Sequence, residues 1–526
     1  MRIRPSLSPH APHAPRARAA TALGAVAVLL AASACSGESS DSSGTGAGSQ
    51  TLALSIFGTP NSFDPAQLIE GQQTYVWDAL YDTLLSQDNS GQLKPGAARS
   101  WKYSDDARTL TLKLRGDLTF SSGAKVDSAA VKATMERTLR TPGQSQAALA
   151  SVDSVEAPDA STVVIKLKRP DGGLLPVLST APGVIGDPKT MASKSSALDP
   201  VGSGPYTLDT KATVNGSVYV LNRRSDYWNA KAYPFKTVKI RVISDPTAVA
   251  NALKAGETNV GTIDVSQVSA IKAAGFDVTH VDATAGASLI LADRAGSRLK
   301  ALGDVRVRKA INMAFDRDKM VKQLLMGSGK PTEQLFNPEG AANDPALDRT
   351  YAYDPAGAKK LLAEAGYADG FSVTMPSLVY SKQFEPAITQ ALGDIGIKVT
   401  WEPVPAQQSL SALLSRKYPM FLVVEGLNVA PIETRTFFSP AGSKNVFRST
   451  DPTLTALLNR ADKELDPQKA AVIYKEISRF GVEQAWNAPL FHIGSDWATK
   501  KGIAYLGNGS STLSTIRQFG PAESRG

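Results

Sequence analysis

Strand-like alternation and helix-like stripes of apolar residues take turns along most of the chain. Residues 109–115 (TLTLKLR) set Leu110, Leu112 and Leu114 on one face, the period of two that a half-buried strand requires. Residues 163–168 and 238–243 repeat that pattern. Residues 420–424 (MFLVV) are apolar without interruption, which predicts a strand covered on both faces. Helices announce their ends. Asp354-Pro355 precedes Ala358, Leu361, Leu362 and Ala365, and Gly366 closes the run: an N-cap, a first-turn proline, a stripe at helical spacing and a C-terminal glycine. Asp466-Pro467 opens another helix, and Asp316 caps a third bearing Met320, Val321, Leu324 and Leu325 before Gly327. Val305, Ala310, Ile311, Ala314 and Phe315 predict a helical core face, with Arg306 and Arg308 pointing outward to solvent or to salt bridges. The pattern is that of a mixed α/β protein.

The first fifty residues read differently. Residues 19–34 (AATALGAVAVLLAASA) follow Arg2, Arg4, Arg16 and Arg18, and no acid precedes residue 35. Such a run rises about 24 Å as a helix, short of a ~30 Å hydrocarbon core. Residues 1–34 therefore read as an export signal. Cys35 follows Ala32-Ser33-Ala34, a setting that resembles the lipobox of bacterial lipoproteins, in which the cysteine is lipidated and becomes the mature N-terminus. Residues 36–50 hold six Ser and four Gly and no large apolar side chain, so 35–50 reads as a flexible tether. The folded part begins at Thr51.

Composition narrows the chemistry. The 526 residues suffice for about three domains, and 42% hydrophobic with 20% charged residues excludes a disordered chain. The net charge of +8 is half accounted for by the four leader arginines, and no basic run concentrates the rest, so nothing points to nucleic acid. A single cysteine excludes an intramolecular disulfide and a cysteine-built zinc site. Beyond the leader's His10 and His13 stand His280 and His492, each in an apolar strand-like run, which reads as two satisfied core histidines rather than metal ligands. Asp105-Asp106 reads as turn chemistry. Gly327-Ser328-Gly329-Lys330 imitates the end of a phosphate loop, but Leu324 and Pro331 occupy the positions of its first glycine and its Ser/Thr, so it reads as a helix end and turn. Gly202-Ser203-Gly204 lacks the flanks of a nucleophile elbow. No catalytic residue, metal site or cofactor is assigned, although spacing alone leaves open a Ser/His/Asp site built from distant segments.

Seven motifs in order then carry a resemblance. They are Asn61-Ser62-Phe63-Asp64-Pro65-Ala66; DALYDTLL at 78–85; the region 94–137 with PGAARSW, LKLRGDLTFSSG and VKATMERT; VGSGPY at 201–206; Asp226-Tyr227-Trp228; DVRVRKAINMAFD at 304–316; and residues 353–370. From residue 51 to about 506 the chain resembles the family 5 extracytoplasmic solute-binding proteins of ABC transporters, the class of dipeptide-, oligopeptide- and nickel-binding proteins. Ser203 stands for the family's threonine, and Ala130 for its acid before the helix valine.

The resemblance implies an α/β, two-lobed periplasmic-binding-protein-like fold (type II, large class) with an extra inserted domain. Lobe I would comprise 51–78, 200–280 and 490–526, the inserted domain 79–199, and lobe II 281–489. Gly202, Gly204 and Pro205 suit a bent, hinge-side element. The implied role is capture of a peptide or peptide-like solute by a monomer lipid-anchored through Cys35 on the outer face of the cytoplasmic membrane, and its delivery to ABC permease subunits. The alternatives are a non-peptide solute (an oligosaccharide, metal chelate or small metabolite) and a secreted hydrolase. Ligand contact is expected from Asn61, Ser62, Phe63, Tyr75, Tyr380, Glu425, Gly426 and Asn428. In peptide-binding relatives the segment after the MFLVV strand supplies an Asp for the ligand's α-amino group. Here Glu425 and Glu433 are the nearby acids, and Tyr380 stands where some relatives place an arginine for the ligand's carboxylate. Pairing of Glu425 with a neighbouring Lys or Arg is the competing expectation.

Overall fold

The four expected strands form, two of them in one long mixed sheet and two in a smaller antiparallel one. The computed structural model describes residues 50–509 and 513–524; the export signal, Cys35 and all but the last residue of the tether lie outside the described residues. The long sheet runs in the order Phe421–Gly426, Phe276–Ile290, Ala488–Lys500, Val260–Ile263, Thr51–Ile56, Thr237–Val242, Val218–Arg223 and Tyr206–Leu208, with Gly329–Pro331 added beside Ala488–Lys500. Thr51–Ile56 pairs parallel with Thr237–Val242, Leu54 opposite Ile240, and parallel with Val260–Ile263 on its other side, while the pairs beyond these toward both ends are antiparallel.

Two strands hold this sheet together lengthwise. Phe276–Ile290 has 15 residues and Ala488–Lys500 has 13, and they pair antiparallel with a register shift between Val281 and Ala285. At one end the core contains Leu52, Leu54, Tyr219, Val238 and Ile240. At the other it contains Leu289, Val307, Ile311, Phe315 and Leu490. The expected lobe boundaries at 280/281 and 489/490 fall inside these two strands.

Residues 79–199 contain a separate four-stranded antiparallel sheet, in the order Ala98–Tyr103, Thr109–Leu114, Thr162–Leu167, Val152–Asp159. Leu110, Leu112 and Leu114 are buried, as their spacing requires, in a core shared with Val131 and Met135 of the helix Ser128–Arg140. The capped helices form where predicted. Asp354 accepts a bond from the Gly357 amide at 2.9 Å, Asp466 from Gln468 at 2.8 Å and Asp316 from Lys319 at 3.0 Å. Phe421–Gly426 is covered on both faces, Met420 and Leu422 entering one core and Phe421 and Val423 another. No described helix is long and apolar enough to cross a membrane.

Several motifs prove to be joints. Asp82, from DALYDTLL, accepts bonds from the Tyr227 hydroxyl at 2.8 Å and the Trp228 indole at 3.3 Å, and its amide donates to Ser203 Oγ at 3.2 Å. Asp64 caps the turn Pro65–Gln67 and forms a two-pronged ion pair with Arg137 of the helix Ser128–Arg140, Nη2 to Oδ2 being 2.6 Å.

Three sequence expectations need correction. Arg308 does not point outward: it is buried, and its guanidinium donates to the carbonyls of Leu302, Gln484 and Ala485. Arg306 is exposed and pairs with Asp304, as expected. His280 is not a core residue; its side chain is 41% exposed, with Nδ1 2.9 Å from Asp496 and Nε2 3.3 Å from Asp282. His492 is buried as expected but only half satisfied: it has a backbone hydrogen bond with Phe336, while its Nε2 has no hydrogen-bond partner among the described residues.

Candidate ligand cleft

A cleft of about 330 Å³ opens where three parts of the chain meet. One wall is the stretch 68–74, which leads into the helix Thr74–Leu80. A second is formed by residues of 144–148 and 177–182, from the segment with the four-stranded sheet. The third runs from the end of the strand Phe421–Gly426 through the helix Ala430–Phe437 to Lys444. Leu68, Val177 and Ile432 give the cleft apolar surface, so it suits a solute with an apolar portion.

Its charged groups are three acids, Glu70, Glu425 and Glu433, and two cations, Lys444 and Arg435. The Glu425 carboxylate lies 2.7 Å from Lys444 Nζ, so the competing expectation, a local ion pair, is what the structure holds. Asn428 then turns the chain, and its amide donates to Glu433 Oε1 at 2.5 Å. Glu433 is only 3% exposed. Burial, reinforced by the nearby Glu425 charge and only partly opposed by Lys444, pushes its carboxyl well above the usual carboxylate range. On the opposite wall burial also raises Glu70, against the bonds it receives from Thr180 and Ala181. Arg435, the other cation of the lining, is committed to Asp171, with Nη2 to Oδ1 at 2.7 Å. Among the described residues neither Glu70 nor Glu433 has an ion-pair partner. The cleft thus sets two buried acids, Glu70 and Glu433, beside apolar surface. No group of three His, Cys, Asp or Glu side chains suited to a metal occurs among the described residues.

Three of the expected site residues line this cleft: Glu425, Gly426 and Asn428. The others are placed elsewhere. Asn61 is exposed and donates to the Gln67 carbonyl at 2.9 Å. Ser62 Oγ accepts from the Asp64 amide at 3.0 Å. Phe63 packs edge-on against Tyr219 in the core. Tyr75 donates to Gln518 at 3.1 Å within an aromatic cluster containing Trp497 and Phe519. Tyr380 is outside the lining but near Glu425: burial, then the Glu425 charge, raises its hydroxyl above the ordinary value. Sequence reasoning missed Glu70, Lys444 and Arg435. None sits in a motif, and only their convergence in space marks them.

Comparison with known proteins agrees with this architecture. Residues 92–448 match the family model of bacterial extracellular solute-binding proteins, family 5 middle. The glutathione-binding protein GsiB of Salmonella paratyphi A is 25% identical over 434 residues, covering 79% of this chain and 83% of that protein. Two solved structures share the fold. DppA of Helicobacter pylori, a periplasmic binding protein in complex with the peptide STSA, superposes with a TM-score of 0.77 at 21% identity, over 90% of this chain and 98% of its own. NikA of Brucella suis, in complex with Fe(III)-EDTA, gives 0.74 at 25% identity, over 90% and 99%. The chain belongs to the family 5 bacterial extracellular solute-binding proteins.

Proposed function

We propose that this family 5 solute-binding chain works as a lipid-anchored monomer. It closes over a small peptide or peptide-like solute that carries a free ammonium group and presents it to the permease of an ABC importer. The observation that carries the ligand reading is Glu433: a buried acid on the cleft wall with no ion-pair partner among the described residues. An ammonium group entering the cleft supplies that charge and removes the cost of burying the carboxylate alone. With Lys444 held by Glu425, Glu433 takes the role first expected of Glu425.

Titration calorimetry of the stripped protein tests this, with a panel of di- and tripeptides and their N-acetylated counterparts as probes. Free-amino peptides should bind at least about tenfold more tightly than the acetylated forms, and Glu433→Gln should abolish that preference. Equal affinities for both series in the native protein would overturn it. The sign of the pH effect follows from the raised carboxyl. As pH falls, Glu433 gains its proton, so affinity for the free-amino peptides should weaken toward acid and strengthen toward neutral pH.

A second reading, a non-peptide amine such as a small metabolite, is favoured by one observation. Arg435 of the lining is taken by Asp171, leaving no uncommitted guanidinium among the described lining residues for a ligand carboxylate. Nothing favours the hydrolase, since neither His280 nor His492 lines the cleft.

Anchoring is proposed from the export signal, Cys35 and the tether. Several acyl chains on one cysteine hold a protein stably at a bilayer, where a single chain would not. Cys35→Ser should release the protein into the medium; unchanged membrane association with an unmodified N-terminal mass would refute the anchor.

A further inference from the structure

The cleft wall formed by the helix Ala430–Phe437 is gripped from outside by the turn 168–173, which leaves the four-stranded sheet at Leu167. Asp171 in this turn has no solvent exposure. Its Oδ1 accepts from Arg435 Nη2 at 2.7 Å and its Oδ2 from the Ser151 hydroxyl at 2.5 Å, while its backbone carbonyl accepts from the Tyr103 hydroxyl at 2.7 Å. Arg435 Nη1 also donates to the Ala148 carbonyl at 3.2 Å. Beside this, Arg169 pairs with Asp462, and the Gly172 amide donates to the Asp462 carbonyl at 2.7 Å. The fit admits no side chain at Gly172, where a Cβ would stand 2.3 Å from the Glu464 carbonyl oxygen. Arg435 lies two residues beyond Glu433 on the same helix.

We infer that the turn 168–173 is a latch: seated against Arg435 and Asp462, it fixes the helix bearing Glu433 in its place on the cleft wall and holds the molecule closed. What is latched rests on the reading of the cleft as the solute site, but the latch itself can be tested without solute. Its chemistry suits a reversible contact. Burying Asp171 and Arg435 together costs desolvation that their attraction roughly offsets, so the intact pair by itself adds little net free energy to seating. Removing one partner leaves the other charge buried alone, and seating becomes strongly unfavourable. Removing both should largely restore it.

The full chain in a Cys35→Ser background has no other cysteine, so spin labels at Asp105→Cys and Lys359→Cys, both exposed, report the separation of the two parts by pulsed electron resonance. Asp171→Asn should lower the ratio of short- to long-distance populations at least about tenfold. The more exposed pair supplies a milder variant, Arg169→Gln, which should move the distances the same way. Combining Asp171→Leu with Arg435→Met should bring the distribution back toward that of the native residues. An unchanged distribution in both Asp171→Asn and Arg169→Gln, with native circular dichroism, would overturn the latch. If the distances shift as expected while no peptide binds, the latch stands and the ligand reading falls.

Discussion

Burial governs how His492 responds to acid. Desolvation lowers its pKa from 6.5 to about 4, with Asp348 and a backbone hydrogen bond with Phe336 only partly opposing. Between those values the unfolded chain carries the proton and the folded chain does not. The stability tied to the neutral ring is therefore fully present above about pH 6.5 and is lost as pH falls toward 4, on the order of 3 kcal/mol. Asp82 acts in the opposite sense. Its burial raises it from 3.8 to about 6, so its contribution declines as pH rises through that window and offsets part of the histidine effect. His492→Gln should lose less stability between pH 7 and pH 4.5 than the native protein, read as the shift in urea midpoint. Equal shifts would remove His492 from acid sensitivity. Neither the orphaned nitrogen nor the buried Arg308 was legible in the sequence, and for one reason. Arg308 satisfies the carbonyls of Gln484 and Ala485, more than 170 residues away, and His492 Nε2 lacks, among the described residues, a partner that only the assembled core can withhold.

Individual elements were far more legible, because their signals are local. An aspartate and proline followed by an apolar stripe at helical spacing open a helix, as at Asp354 and Asp466, and alternate leucines find a sheet face. The family motifs were legible too, but most of those that can be traced build joints rather than the ligand site. Ser203, Tyr227 and Trp228 converge on Asp82, while Asp64 clamps Arg137. That is why the fold could be recognised and most of the cleft could not: Glu70, Lys444 and Arg435 stand outside those motifs. The VGSGPY turn gives a sharp test. A Cβ at Gly202 would lie 1.9 Å from the Leu80 carbonyl oxygen, which also accepts the Gly204 amide at 2.9 Å and so cannot move away freely. Gly202→Ala should cost about 1–3 kcal/mol or more in thermal unfolding. Gly393, inside the helix Glu385–Asp394 with nothing within 4 Å of its added Cβ, provides the control. Gly393→Ala should be stabilising by about 0.5–1 kcal/mol. Similar effects at the two sites would show that the close approach at Leu80 is relieved by local shifts.

At the scale of the whole molecule, the two-lobed fold is built on a sheet whose long strands, Phe276–Ile290 and Ala488–Lys500, run from one core to the other. A sheet resists shear along its ladder, so bending concentrates where pairing is interrupted. Two interruptions occur, one between Ala287 and Ser288 and a wider one between Val281 and Ala285, where the Thr284 and Ser495 hydroxyls are 2.6 Å apart and a Cβ on Gly494 would stand 3.0 Å from the Val281 carbonyl oxygen. The wider one is the expected pivot for closure over the cleft, a hinge motion in which domains rotate about a few residues. Binding at such a cleft has two separable signatures. A solute that binds only the folded protein stabilises it by about 2.7 kcal/mol at one hundred times its dissociation constant. Closure should in addition shrink the radius of gyration in small-angle scattering. Gly494→Val crowds the pivot, so it should reduce the compaction on binding while leaving the cleft residues themselves unchanged. A solute that raises the melting temperature without compaction in the native protein would mean that the cleft binds but these strands do not bend.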